Sequence, residues 1–126
     1  MRQIILPAEG YASKTGMAVS CYTQHSLRYN EETMANHLLP IQLDRGKGPA
    51  VVLLHGLGNN HKSWSYVLKH FDTSVRVIAL DLLGFGDAPK LDIAYTPADH
   101  AQAVITTLDK LGVKDALIAG HSMGCI

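Results

Sequence analysis

A serine set between two glycines, Gly120-His121-Ser122-Met123-Gly124, stands directly after the apolar run Ala116-Leu117-Ile118-Ala119. The G-x-S-x-G spacing suits a sharp turn at the end of a buried strand, with the Ser122 hydroxyl projecting as a nucleophile. Gly120 and Gly124 leave room for a strained backbone at the serine and for close packing of the segment that follows. A nucleophile of this kind attacks a carbonyl carbon, and the oxyanion that forms needs fixed N–H donors. A second glycine-rich stretch, His55-Gly56-Leu57-Gly58, ends another apolar run and can lend backbone amides to that task.

Serine is a weak nucleophile at neutral pH unless a base, usually a histidine steadied by a carboxylate, takes its proton. Seven histidines are available, His25, His37, His55, His61, His70, His100 and His121. His55 and His121 flank the presumed site. His61, near the start of a helix, reads as a solvated surface side chain, as do His70 and His100 on predicted helices. His25 and His37 fall where no pattern is readable. Asp81 closes a strand at the carboxyl edge of a sheet, where sites cluster in open α/β folds, and reads as a hydrogen-bonding anchor for the loop after it. Cys125 reads as a small packing residue.

The elements that must hold these residues emerge from residue 50 onward. Val51-Val52-Leu53-Leu54 is a continuous apolar strand and Val75–Asp81 another buried strand, the pattern of a parallel sheet with helices on both faces. Between them Trp64, Val67, Leu68 and Phe71 form one helical stripe, with Ser63 as the predicted N-cap. Thr96, Pro97 and Asp99 punctuate the start of a second helix. Its stripe is Val104, Ile105, Leu108 and Leu111, and Gly112 stops it. Strand 115–120 follows. This alternation predicts an α/β fold, a mostly parallel sheet with right-handed crossover helices. Upstream, residues 1–36 are an N-terminal segment with an edge strand over Met17–Thr23, and Leu38–Leu43 is a weak strand before the turn 44–49.

Composition sets the outer limits. The chain has 126 residues, 47% hydrophobic and 17% charged, which suits one globular domain and excludes a disordered chain. A net charge of zero gives no reason to expect a nucleic-acid or anionic-membrane partner. Cys21 and Cys125 share no metal-binding spacing and read as free thiols, with a disulfide left open. The N-terminal apolar stretch Ile4-Ile5-Leu6 is too short for a signal peptide and no run approaches a membrane span, so the cytoplasm is the default.

The order of three motifs, His55-Gly56-Leu57-Gly58, Asp81-Leu82-Leu83-Gly84-Phe85-Gly86 and Gly120-His121-Ser122-Met123-Gly124, resembles the α/β-hydrolase family over residues 46–126. The resemblance implies Ser122 as nucleophile and the amides of Leu57 and Met123 as the oxyanion hole. It implies supporting roles for His55, Gly56, Gly58, Gly120, His121 and Gly124. No metal or cofactor is implied, and the substrate is an ester-like small molecule. Serine at this position argues against the dehalogenase and epoxide-hydrolase branches, which use aspartate there. In the family the acid and histidine follow the serine, and only Met123, Gly124, Cys125 and Ile126 do so here.

Residues 37–126 are therefore expected to be a partial α/β-hydrolase domain, with the far edge of the serine-bearing strand unpaired. A complementing C-terminal chain or a homodimer through that edge would cover it. The alternative is a catalytically inactive fragment or interaction module. A dinucleotide-binding βαβ reading of Gly56-x-Gly58-x-x-His61 fails on its third glycine, and no P-loop pattern occurs.

Overall fold

The apolar residues that follow Pro49 divide between two cores, one on each side of a sheet. A computed structural model describes residues 37–92 and 95–126, together with the backbone of 17–23. Its strands are β1 (Met17–Thr23), β2 (Ile41–Arg45), β3 (Ala50–Leu54), β4 (Arg76–Leu80) and β5 (Asp115–His121). Their order across one sheet is β1-β5-β3-β4-β2. β3 runs parallel to both β4 and β5, while β2 pairs with β4 and β1 with β5 in antiparallel fashion. The result is an open mixed sheet with a parallel centre.

A 3-10 turn (His61–Trp64) running into the short helix α1 (Ser65–Leu68) links β3 to β4, and α2 (Pro97–Lys110) links β4 to β5. Val51, Leu53, Val77, Ala79 and Ala119 meet Trp64, with Val67, Leu68 and Phe71 packed against them. Val52, Leu54, Ile78 and Leu80 meet Ala103, Val104 and Leu108 of α2. Successive strand residues point to opposite faces, and here each face has its own apolar layer. β3 and residues 77–80 of β4 are unbroken apolar runs for that reason.

Several boundaries differ from the sequence expectation. The cap of the first helical segment is Asn60, not Ser63: the Asn60 side chain accepts from the Lys62 N–H, and the Ser63 hydroxyl donates back to the Asn60 carbonyl. The start of α2 matches the reading, with Thr96 and Asp99 closing a capping box around Pro97. Its buried stripe is Ala103, Val104, Thr107 and Leu108, leaving Ile105 half-buried. Strand β2 begins later than Leu38. Pro40 has no N–H for a ladder, and the Leu39 N–H donates to the Thr107 hydroxyl at 2.9 Å. The expected unpaired edge of the serine-bearing strand is also corrected: β1 runs along all of β5, from Met17 opposite His121 to Thr23 opposite Asp115.

Thr107 is the one hydroxyl side chain in the buried set among the described residues, and its hydroxyl also donates to the Ala103 carbonyl at 2.7 Å. Thr107→Val fills the same space but strands the buried Leu39 N–H. The expected loss is about 1–3 kcal/mol, read from urea midpoints, with Thr107→Ser close to wild type.

Candidate active site

Leu80, Leu54 and Gly120 lie in one row across the three parallel strands. Asp81, His55 and His121 therefore emerge together at the carboxyl ends. Ser122 opens a second 3-10 turn (Ser122–Cys125). With φ 53 it is the only non-glycine at positive φ among the described residues. That left-handed backbone costs an L-residue about 1–2 kcal/mol. The side chain is exposed, and its hydroxyl has no hydrogen-bond partner among the described residues.

The two glycines of the motif make the turn sterically feasible. A Cβ on Gly124 would stand 2.4 Å from the Leu54 carbonyl oxygen and 2.9 Å from that of His55, and one on Gly120 only 2.1 Å from the Gly124 oxygen. The turn is folded backbone-on-backbone against the ends of β3 and β5. Met123, half-buried, packs against the core under α2. Its N–H lies in the first turn, where a helix leaves its amides without internal partners.

The loop after β3 abuts this turn: a Cβ on Gly56 would lie 2.9 Å from His121 Nδ1 and 3.2 Å from Ser122 Cβ. The Asn59 N–H donates to the Gly56 carbonyl at 3.2 Å. Gly58 has φ 69 with open space around its would-be Cβ, so the positive φ of a type II-like turn, not crowding, selects glycine. Leu57 sits at the tip, 73% exposed. Its amide donates to nothing among the described residues.

The histidines separate by their partners. His55 is fully buried, donating from Nδ1 to the Gly56 carbonyl (2.8 Å) and accepting at Nε2 from the Leu82 N–H (2.9 Å). Both nitrogens are committed to joining two loops, so it cannot serve as a base. His121 is exposed beside Gly56. His70 is exposed next to Tyr66, and His37 is half-buried. His100, expected at the surface, is half-buried with its ring 5.8 Å from that of Tyr95, and burial lowers its pKa against the pull of Asp99. Cys125, expected to pack, is exposed. His25 lies outside the described residues.

His61 departs most from expectation. Its Nδ1 donates to Asp81 Oδ1 at 2.9 Å, and its backbone N–H reaches the same oxygen at 2.7 Å. The Asp87 N–H donates to Oδ2 at 3.0 Å. Asp81 is fully buried. Burial pushes its carboxyl up, but the Asp87 and His61 donors outweigh it and hold the pKa below the ordinary value. Asp81 thus anchors the loop after it, as its position suggests, and the loop after β3 as well. That second role had one signal in the sequence: Asp81 and His61 follow neighbouring strands. No cluster of three or more metal-ligating side chains occurs among the described residues, and no helix there is long and apolar enough to cross a membrane.

Strand order, glycine-backed serine turn and the buried His55 and Asp81 anchors are accompanied by a family match: the model described as alpha/beta hydrolase fold covers residues 49–126. The chain belongs to this family. This α/β-hydrolase chain is 38% identical over 79 residues to an uncharacterized protein of Mycobacterium tuberculosis, covering 63% of the chain and 23% of that protein. It is 35% identical over 77 residues to a haloalkane dehalogenase of Mesorhizobium japonicum, covering 61% of the chain and 25% of that enzyme. A solved Vigna radiata epoxide hydrolase, a point mutant, matches at 33% identity and TM-score 0.57, over 64% of the chain and 26% of the enzyme. The chain spans about a quarter of the length of these relatives.

The turn geometry predicts stability changes of opposite sign. Ser122→Gly relieves the left-handed strain and raises stability by about 1 kcal/mol. Gly124→Ala forces a methyl into the Leu54 and His55 carbonyls and lowers it by about 1–3 kcal/mol. Denaturant midpoints of the two variants against wild type check both signs.

Proposed function

We propose that this chain carries the nucleophile and the oxyanion donors of a serine hydrolase acting on carboxylic esters or related acyl or carbon–carbon bonds. The observation that carries the reading is Ser122 itself, exposed and left-handed at φ 53 on a turn packed against two strand ends. Ser122 Oγ attacks the carbonyl carbon while its proton passes to a base. The oxyanion is met by the amides of Leu57 and Met123, whose loops lie against each other at Gly56 and Ser122. Collapse of the intermediate expels the leaving group, which takes up the proton, and water then hydrolyses the acyl-serine.

Two of the relatives act, by their names, on haloalkanes and epoxides. Those substrates react at a saturated carbon, where a serine would become an ether. An ether has no carbonyl for water to attack, so turnover would end after one event. An acyl-serine ester is hydrolysable, and this favours carbonyl substrates for a site built on serine.

The base is the part this reading takes from elsewhere. His55 has both nitrogens occupied, and neither His61 nor any other described histidine hydrogen-bonds the Ser122 hydroxyl. The histidine and acid are then brought by the rest of a longer protein or by a complementing chain. A second reading, a non-catalytic interaction module, is favoured by the unpartnered Ser122 hydroxyl.

Treatment of the natural protein containing this sequence with a fluorophosphonate is expected to give one adduct, on Ser122, that Ser122→Ala abolishes. The 13.7 kDa chain alone is expected to hydrolyse nitrophenyl esters near the background rate. Intact and peptide mass spectrometry read the adduct. Its absence from Ser122 in the natural protein supports the non-catalytic module and overturns the hydrolase reading.

A further inference from the structure

The loop from His55 to His61 is held at both ends by histidines. At its start, His55 bridges the Gly56 carbonyl and the Leu82 N–H. At its end, His61 puts two donors on one oxygen of the buried Asp81. Between them the Gly56–Asn59 turn presents Leu57, whose amide is unpartnered among the described residues. The Asn60 side chain points onward, accepting from Lys62. Asn59 accepts only from its neighbour Asn60, at 3.0 Å.

We propose that His61 is a positioning residue for the Leu57 amide, its imidazole fixing the far end of the loop on Asp81. The inference rests on the assignment of that amide to the oxyanion hole. A single backbone N–H on Asp81 Oδ1 would let the chain pivot about one bond. The ring adds a second attachment to the same oxygen. An ionised carboxylate only accepts, so the proton between the two side chains belongs to Nδ1. The bond is charge-assisted, and the ring is 21% exposed, enough cover to shield it from competing water. A donor amide stabilises an oxyanion in proportion to how well it is held before the reaction begins. His61 does this without touching substrate.

The test compares wild type with His61→Leu, which deletes the donor, and His61→Asn, whose side-chain amide can restore it. In His61→Leu the Asn59 amide, which closes the turn, is expected to exchange about tenfold faster or more. The Leu57 amide resonance moves, and amides of β3 to β5 keep their protection. Phosphonylation of Ser122 slows by a similar factor, about tenfold. His61→Asn returns both readouts toward wild type. Unchanged Asn59 exchange and Leu57 shift in His61→Leu overturn the proposal, as does His61→Asn behaving like His61→Leu.

Should His61→Leu fail to fold, the wild-type spectrum decides. A slowly exchanging downfield His61 Nδ1 proton supports the inference, and its absence overturns it. If wild type never labels at Ser122, the hydrolase reading falls, while the amide measurements still judge whether His61 holds the turn.

Discussion

A carboxylate sealed from solvent must find all its hydrogen bonds inside the protein, and much of the site follows from how Asp81 does so. Its donors come from the loop after β3 and the loop after β4, His61 by backbone and ring and Asp87 by backbone. Gln42 of β2 in turn donates to Asp87 Oδ2 at 2.9 Å. Two carboxylates thereby tie a strand and two loops at the carboxyl edge of the sheet. Leaving such a group short of donors is far more costly than the pairing is favourable, so the arrangement is held by penalty more than by attraction.

His55 repeats the arrangement with an uncharged acceptor. It is buried, ties the same two loops, and lies edge-on to Phe85 at 5.8 Å. The serine turn is joined differently. It has no side-chain tether to the loop, only the absence of Cβ atoms at Gly56, Gly120 and Gly124, which lets backbones touch. Two buried polar anchors set the donor loop, and three missing methyl groups set where the nucleophile stands against it.

The parts legible in the sequence are those whose demands are local. The serine motif is readable because a strained turn between close-packed backbones admits few residues but glycine. The capping box of Thr96 and Asp99 is readable because its partners are three residues apart. The apolar strands are readable because two layers bury both faces. What depends on distant partners is not: His61 looks like a surface residue until β3 and β4 are placed side by side, and His100 until Tyr95 folds over it. Asn60 displaces Ser63 as cap because both residue types suit the role and only the backbone angle chooses. The strand at Met17–Thr23 is visible, but its partner is not.

That partner gives the chain an awkward order of assembly. β1 and β5, the strands that pair, stand on either side of β2, β3 and β4 in the chain. The other ladders close over shorter stretches of chain, while this one joins residues 17–23 to residues 115–121. Contacts of such long range slow folding, because chain entropy is lost before they repay it. Until that ladder closes, β1 has its hydrogen-bonding groups unclaimed, and a chaperone or a second chain would find it open.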